Sequence, residues 1–303
     1  MCYGKKRMEA AGTKTQQGSH PGWHVVGAML VACCGLSLYL LHMHITPPVG
    51  GIELVPGPPV LQEQKTVNWL GAYWNGRKIG RLRQVIERGE EGYSASGELE
   101  LALSVGGQKL LMTSDLRITL ESSGALKNVD VRMKGGPASG RLQIRAEGNM
   151  LRVEGELAGM KVKRRIPVTE PPVLDILVPR LLARQRLLPG QAYRAALFDP
   201  QTLSNRTVTY RVVGPEAVQT GLGLLPGIHV VAGGAFGKSD IWIDEEGNLL
   251  RQKTEAGLEF RAESAEAGSR PPAEPLDLSS SGIRKLVESM APMVVGSGEG
   301  SGK

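Results

Sequence analysis

The feature that most constrains this chain is an apolar run near its start, His24 to Ile45, which contains no Asp, Glu, Lys or Arg. A helix needs about 20 apolar residues to cross a hydrocarbon core of about 30 Å. The stretch from Trp23 to Ile45 has that length, and Trp23 is placed for one membrane interface. We therefore predict a single transmembrane helix over residues 23–45, with a tethered chain after it.

The charges that flank this run predict its orientation. Basic residues precede it at Lys5, Lys6, Arg7 and Lys14, whereas residues 46–62 contain no Lys or Arg. Because basic residues are retained on the cytoplasmic side, we expect the N-terminus in the cytoplasm and residues 46–303 outside it. In a bacterium this is a single-pass protein of the inner (cytoplasmic) membrane with a periplasmic domain.

Two alternatives to the anchor stay open. A cleaved signal peptide also has a basic start, but its apolar region usually spans about 7–15 residues, and no small-residue cleavage site stands out here. The residues Leu30-Val31-Ala32-Cys33 resemble a bacterial lipobox, yet the chain stays apolar through Leu41, where a lipoprotein would begin a polar tether. We favour the interpretation that Cys33 and Cys34 are small apolar residues of a membrane helix.

The distribution of cysteine and histidine excludes several classes of enzyme. All three cysteines lie within the first 34 positions, and His229 is the one histidine after residue 45. The exported part therefore has no disulfide, no thiol nucleophile and no site with several histidines for zinc. A Ser–His–Asp triad would have to use His229. With a net charge of +6 and basic residues interleaved with apolar ones, we expect no nucleic acid as a partner. We also predict no nucleotide and no cofactor.

Composition divides the rest of the chain. Residues 1–22 are rich in Gly, Gln, Ser and Lys, and we predict a disordered cytoplasmic tail there. Residues 46–63 are rich in Pro and Gly and are predicted to be a linker that acts as a stalk. Residues 64–265 are predicted to be one exported β-rich domain. Residues 266–303 shift to Ala, Glu, Pro, Ser and Gly and are predicted to be disordered, with a short amphipathic helix within GIRKLVESM.

Two-residue alternation predicts the strands of the β-rich domain. TVNWLGAYW and RKIGRLRQVIER flank Asn75-Gly76, which is a strong hairpin signal. Six further alternating segments follow, at 98–105, 115–122, 129–133, 141–147, 151–157 and 161–168. Short strands at this spacing indicate a meandering antiparallel sheet with one covered face.

A helical segment separates this run of strands from a second one. Residues 173–188 place leucines close to helical spacing, and Pro179 predicts a kink or two short helices. We expect this segment to pack against the sheet as core. A second run of strands follows from Leu188 to Glu263, and we place the turn of its last hairpin at Glu245-Glu246-Gly247-Asn248.

Three stretches carry a resemblance to a known bacterial domain: YWNGRKIG (73–80), residues 188–218 with FDPQT, and residues 240–260 with WIDEEG. The chain resembles the β-rich domain that precedes the catalytic core in many exported transglutaminase-like proteins, akin to the curved sheets of the lipoprotein-carrier and DUF3108-like group. The resemblance implies an extracytoplasmic binding or accessory module on a half-barrel-like sheet. It also implies that the catalytic half is absent, because the exported part has no cysteine.

Candidate functional residues divide into a ligand-binding and a catalytic set. An aromatic cluster on the concave side of a curved sheet would bind an amphiphilic, lipid-like ligand, and its candidates are Trp69, Tyr73, Trp74, Tyr210 and Trp242. Packing as ordinary core is the commoner role of such aromatics. A hydrolase would use His229 or the carboxylates of Asp199 and Asp244, although both aspartates stand where turns favour Asp.

Two other motifs have simple structural interpretations. The segment from Ala232 to Ser239 fits a loose phosphate loop, but the strand-like residues after it do not supply the helix such a loop needs. The basic run Lys161, Lys163, Arg164 and Arg165 would contact anionic headgroups or a glycan, or protect an edge strand from aggregation.

The sequence therefore predicts a mainly β fold: a large curved antiparallel sheet with one covering helix, preceded by a transmembrane helix. We expect a non-enzymatic, membrane-anchored protein of the cell envelope whose exported domain binds or scaffolds a partner, accessory to a transglutaminase-like or envelope-assembly system. A carrier or sensor of an amphiphilic ligand is the first alternative, and a hydrolase is the second.

Overall fold

The structure is a computed structural model. It describes residues 51–59, 61, 63–105, 108–135, 139–168, 170–199, 203–234, 237–255, 257–272 and 275–277. The predicted transmembrane helix at 23–45 and the predicted cytoplasmic tail lie outside these residues. In the part of the chain that is described, no helix is both long and apolar enough to cross a membrane.

The alternating segments form strands, which confirms the prediction of a mainly β fold. The first half of the chain contributes β1 Ile52–Glu53, β2 Lys65–Trp74, β3 Arg77–Gly89, β4 Gly92–Val105, β5 Gln108–Glu121, β6 Leu126–Lys134, β7 Gly140–Glu147, β8 Met150–Leu157 and β9 Met160–Pro167. The second half contributes β10 Ala192–Asp199, β11 Ser204–Thr220, β12 Gly223–Gly234, β13 Gly237–Ile243, β14 Leu249–Thr254, β15 Leu258–Glu263 and β16 Leu276–Asp277.

All these strands belong to one large, open sheet that consists of two antiparallel meanders. One meander runs from β2 to β9 and the other from β10 to β15, and β15 pairs with β2 to join them. The two-residue strands β1 and β16 pair in parallel with β10 and β4. Within the described residues, β9 forms one edge of the sheet and β1 the other.

The Asn-Gly hairpin is confirmed in detail. Asn75 and Gly76 connect β2 to β3 with φ angles of 49° and 82°. Two consecutive positive φ angles are the signature of a type I′ turn, whose twist matches that of the strands it joins. The turn sets the first two pairs, Trp74 with Arg77 and Tyr73 with Lys78, and a β-bulge then shifts the register of the remaining pairs.

We expect Gly76→Ala to lower the free energy of unfolding by about 1 kcal/mol, because an L-residue in the left-handed region is strained. A methyl group at Gly76 would meet no atom within 4 Å, so the cost would report backbone strain alone. Urea unfolding followed by tryptophan fluorescence measures this difference. Gly233→Ala is the matched control, since Gly233 also has open space and no positive φ. An equal loss in both variants would contradict the assignment.

Two short helices replace the single long one that residue spacing alone would give. A 3₁₀ turn covers Asp175–Leu177, and helix α1 covers Val178–Ala183, with Pro179 in its first turn. Val178, Leu181 and Leu182 are buried in the core between strands. The predictions that Pro179 divides the helix and that the segment is core are thus confirmed.

Helix α1 also holds the β13–β14 turn through a buried arginine. Arg180 is 3% exposed, and its Nη1 donates to the carbonyl of Glu246 at 2.7 Å. Its Nη2 donates to the side-chain oxygen of Asn248. Burial lowers the pKa of Arg180, while the carboxylates of Asp244 and Glu246 act in the opposite direction. The guanidinium therefore connects the helix to a turn 66 residues away.

The core is shared between the two meanders. Phe198 of β10 is buried in the same cluster as Ile118, Val129, Leu142 and Val153 of β5 to β8. The side-chain amide of Asn205, at the start of β11, donates to the carbonyl of Pro167 in β9 at 3.4 Å. Strands near one edge of the sheet thus contact strands near the other.

The ordered chain extends past both predicted boundaries of the domain. Residues 51–59 belong to the fold, because Leu54 is 3% exposed and its N–H donates to the carbonyl of Arg194 at 2.7 Å. At the other end, helix α2 covers Ala265–Ser269, followed by β16. The predicted amphipathic helix in GIRKLVESM lies outside the described residues. The turn at 245–248 joins β13 to β14, so it is not the last hairpin of the described chain, which is β14–β15.

Candidate functional site

The hairpin of β11 and β12 leaves the core halfway along its length. A β-bulge between Val212 and Gly214 interrupts its pairing, and Gly214 has a φ of 143°. Beyond the bulge the hairpin lies across the neighbouring strands, where Val218 packs with Trp242 and Leu250. We call the part from Gly214 to Ile228 the distal hairpin.

The face of the sheet beneath the distal hairpin is polar, and we call it the polar face. In the pairing of β15 with β2, Leu258, Phe260 and Ala262 alternate with Glu259, Arg261 and Glu263. The first three are packed with core clusters. The charged residues consequently point to the opposite side, together with Trp69 and Tyr73, which stand opposite Glu263 and Glu259.

His229 joins the distal hairpin to the sheet. Its Nε2 lies 2.8 Å from Oδ1 of Asp240, and its Nδ1 lies 3.1 Å from Oε2 of Glu216. The imidazole stacks on Trp242 with ring centroids 4.5 Å apart and planes inclined by 12°. Trp242 Nε1 donates to the same oxygen of Glu216 at 3.1 Å. The imidazole therefore contacts one carboxylate of the distal hairpin and one of strand β13, each through a different ring nitrogen.

A buried carboxylate organises the middle of the polar face. Glu259 is 6% exposed and accepts hydrogen bonds from Arg251 Nε at 2.5 Å and Arg261 Nε at 2.7 Å. Burial alone would raise the pKa of Glu259, but the hydrogen bonds from Arg261 and Arg251 outweigh it and lower the pKa. Arg251 also lies over the ring of Trp242, with its guanidinium carbon 5.3 Å from the centroid.

A second buried carboxylate, Glu263, lies on the same face of β15, four residues further along the strand. Glu263 is 8% exposed, accepts from the hydroxyl of Tyr73 at 2.6 Å and pairs with Nζ of Lys78 at 2.7 Å. Burial and the hydrogen bond to Glu263 raise the pKa of Tyr73 to about 12. The phenol is therefore a fixed donor at neutral pH, which indicates a structural role.

The outer face of the distal hairpin is apolar and exposed. Leu222 and Leu224 are 51% and 66% exposed. An open groove of about 400 Å³ lies here, lined by Pro215, Glu216, Ala217, Leu224, Leu225 and Pro226. Along β12, Leu224 and Pro226 alternate onto the same face as Val230, which is fully buried. The face of β12 that is buried at Val230 is therefore exposed to solvent at Leu224 and Pro226.

The interior of the sheet holds little free space at the site where helix α1 covers it. The recess between Pro56, Leu120, Leu126, Leu174 and Leu181 has a volume of about 10 Å³, which accommodates about one water molecule. A drug-sized or lipid-like ligand needs about 300 Å³ or more. This recess is packed core.

The five predicted aromatic residues do not meet in one cleft. Trp74, Tyr210 and Trp242 are each buried in a different cluster. Trp69 lies on the polar face with Arg83 over its ring at 5.6 Å and Gly268 of helix α2 beside it. Tyr73 is bound to Glu263 on the same face. Each aromatic thus has a packing role of its own, and Trp242 packs with Val218 of the distal hairpin.

The predicted acid–base residues occupy structural positions. The carboxylate of Asp244 accepts from the N–H groups of Glu246 and Asn248 at 3.0 and 2.7 Å, which is the turn chemistry expected for it. Asp199 is the last residue of β10, and its side chain lies outside what the structure describes. Lys238 and Ser239 of the phosphate-loop match lie in strand β13, as the alternation predicted.

The surface of the distal hairpin is the feature that the sequence analysis missed. The only signal for it was the presence of Pro215 and Pro226 on either side of a turn that also carries Leu222 and Leu224. Proline is confined to edges and bulges of sheets, so two prolines in facing strands mark a ribbon that is no longer paired with β10 and β13 on its two sides.

No family model and no curated protein matches this chain. Among solved structures, it is similar to a β-barrel-like protein of the domain of unknown function DUF1849 from Brucella abortus, with 12% sequence identity and a TM-score of 0.47 over 70% of this chain and 96% of that one. It is also similar to a DUF1089 family protein from Pseudomonas aeruginosa, with 12% identity and a TM-score of 0.34 over 56% and 87% of the two chains. Neither likeness is close enough to assign a function.

Proposed function

We propose that this chain is a membrane-anchored protein of the cell envelope whose β-rich domain binds a protein partner and performs no catalysis. The uncharged stretch from Trp23 to Ile45 and the basic residues before it support a single-pass anchor with the domain outside the cytoplasm. The resemblance to transglutaminase-associated domains supports an accessory role beside a separate catalytic protein.

The observation that carries the binding role is a packed core combined with an exposed apolar ribbon. The space under helix α1 is filled, whereas Leu222 and Leu224 are more than half exposed beside an open groove. Exposed apolar patches of this kind mark interaction sites in soluble domains. The groove is lined mainly by Pro, Ala and Leu, so the partner that fits it presents an apolar segment.

We also propose that the sheet of this domain is curved and half-barrel-like. The packing of Phe198 with strands of the other meander supports it, as does the hydrogen bond from Asn205 to Pro167. Such a sheet would give the distal hairpin a fixed surface on which to lie.

The geometry around His229 favours this reading over a hydrolase. Both ring nitrogens contact carboxylates, Asp240 on one side and Glu216 on the other. A general base needs one nitrogen free to accept a proton from the nucleophile. The same contacts hold the distal hairpin on the sheet, which is the arrangement that a binding surface requires.

Photo-cross-linking from position 224 in the native cells tests the proposal. A photoreactive amino acid in place of Leu224 is expected to give one discrete adduct with a partner, because this side chain projects into the groove. The same amino acid at Leu111, which is 53% exposed on β5, is the matched control and should give no such adduct. Mass spectrometry identifies the partner and the segment that is linked.

A second variant separates specific docking from chance proximity. Pro226→Asp places a charge in the groove and is expected to reduce the yield of the adduct by about tenfold, because an apolar segment is not tolerated beside an unpaired charge. No adduct at 224, or the same products from both positions, would overturn the proposed role of the distal hairpin.

A further inference from the structure

Within the residues that the structure describes, strand β9 leaves part of its backbone unpaired. Its hairpin with β8 turns at Ala158 and Gly159, with φ angles of 52° and 77°, and Leu157 stands opposite Met160. In a two-residue turn of this type the flanking pair is hydrogen-bonded, and bonded and non-bonded pairs then alternate. At the far end, the N–H of Val168 donates to the carbonyl of Asn149 at 2.9 Å, as this alternation requires.

The alternation determines which backbone groups face outward. The N–H and C=O groups of Lys161, Lys163 and Arg165 point away from β8. In the described residues no strand pairs with this edge, and the one contact there is the hydrogen bond from Asn205 to the carbonyl of Pro167. A stretch of five residues is therefore open to an additional strand.

The same three residues carry exposed basic side chains. In the described structure none of them has a carboxylate oxygen within ion-pair distance. Glu154, which stands opposite Lys163, is already paired with Arg152 at 2.8 Å. The hydrogen bond from Arg152 lowers the pKa of Glu154, and Lys163 adds a weaker favourable charge. The open backbone and the unpaired positive charge thus coincide.

A second copy of this chain does not fit the edge. Antiparallel pairing of two β9 strands centred on Lys163 would place Lys163 opposite itself and Lys161 opposite Arg165. Like charges directly opposite each other in a sheet are destabilising. The charge pattern consequently disfavours self-association and selects a strand of the opposite charge.

We propose that β9 binds an extended acidic segment of a partner protein as an added strand, with Asp or Glu at alternate positions opposite Lys161, Lys163 and Arg165. Backbone hydrogen bonds would supply affinity, and the charge pairs would supply specificity. This site is separate from the groove of the distal hairpin, so the two proposals fail or succeed independently.

The test uses the full chain in a neutral detergent and a synthetic peptide of four Glu-Val repeats with blocked ends, labelled for fluorescence anisotropy. Four Lys-Val repeats serve as the control peptide. We expect the acidic peptide to bind and the Lys-Val control peptide not to bind. We also expect hydrogen exchange to slow at the amides of Lys161, Lys163 and Arg165 when it is present.

Two variants at one position separate backbone pairing from charge. Lys163→Gln and Lys163→Pro remove the same charge, but only the proline also removes an outward N–H, which an edge strand tolerates. Lys163→Pro is expected to bind about tenfold more weakly than Lys163→Gln. Lys109→Glu, on the exposed part of β5, is the control for net charge and should leave binding unchanged.

Three outcomes would overturn the proposal. Equal binding by the Gln and Pro variants would show attraction by charge without strand addition. Slower exchange at these amides in detergent doped with phosphatidylglycerol, but not with the acidic peptide, would assign the basic run to anionic headgroups. Failure of the acidic peptide to bind at all would leave the basic residues as protection of an edge against aggregation.

Discussion

Leu182→Ala is expected to lower the free energy of unfolding by about 3 kcal/mol, the largest loss from any single apolar truncation proposed for this chain. Leu182 is fully buried in the cluster that α1 forms with strands of both meanders. Few side chains can move to fill the cavity, because helix α1 has six residues and is held by Arg180. Urea unfolding followed by tryptophan fluorescence measures the loss.

Leu188→Ala is the matched control, since Leu188 is 43% exposed just after the helix. Its truncation removes the same atoms from a position already in contact with water, and we expect a loss below about 1 kcal/mol. Similar losses at both positions would show that the helix is not the cover of the core.

Glu259→Gln is expected to cost about 3 kcal/mol at neutral pH, because it leaves two arginines beside a neutral side chain in a largely buried site. The carboxylate is 7% exposed, and Arg251 and Arg261 are 23% and 29% exposed. The matched control is Glu98→Gln, whose carboxylate is 52% exposed and lies 3.3 Å from Arg83. Surface pairs of this kind contribute below about 1 kcal/mol.

The same variant should change the pH dependence of stability. The pKa of Glu259 is lower in the folded state than its ordinary value, so its contribution is complete above the unfolded pKa of about 4.3. That contribution disappears as the pH falls through the lower folded pKa. The difference in unfolding free energy between the wild type and Glu259→Gln should therefore shrink in an acid titration. A constant difference would contradict the assigned role of the carboxylate.

Local sequence rules predicted most strands of this fold because apolar residues that face the core alternate with polar residues on the opposite face. In β8, for example, Leu151 and Val153 are fully buried, while Arg152 between them pairs with Glu154 on the other face. Turn residues marked where neighbouring strands are joined, as Asn75-Gly76 does for β2 and β3. Antiparallel meanders need no more information than this.

The contacts between distant segments were not predictable in the same way. Strand β1 has two residues and exists because Leu54 is buried beside β10, not because of any alternation of its own. The pairing of β15 with β2 and the bend at Gly214 depend on packing between segments far apart in the chain. No periodicity within a segment encodes such a partner.

The alternation of side chains along a strand could have divided the five predicted aromatic residues from the sequence alone. Tyr73 and Trp74 are adjacent in one strand, so their side chains point to opposite faces. The structure has Trp74 in a core cluster and Tyr73 on the polar face. Adjacent strand residues cannot line the same face of a regular sheet, and parity alone would have divided the proposed set.

The pairing of β15 with β2 has a consequence for when the chain folds. Tyr73 and Glu263, which hydrogen-bond across this junction, are 190 residues apart. During synthesis one side of the β2 backbone therefore stays unpaired until nearly the whole domain has been made. Pairing between segments so far apart in the chain is also slow. We propose that this domain is exported, and the delay would keep its chain unfolded for passage through a translocation channel. Until β15 pairs with β2, the unpaired strand is also exposed to aggregation.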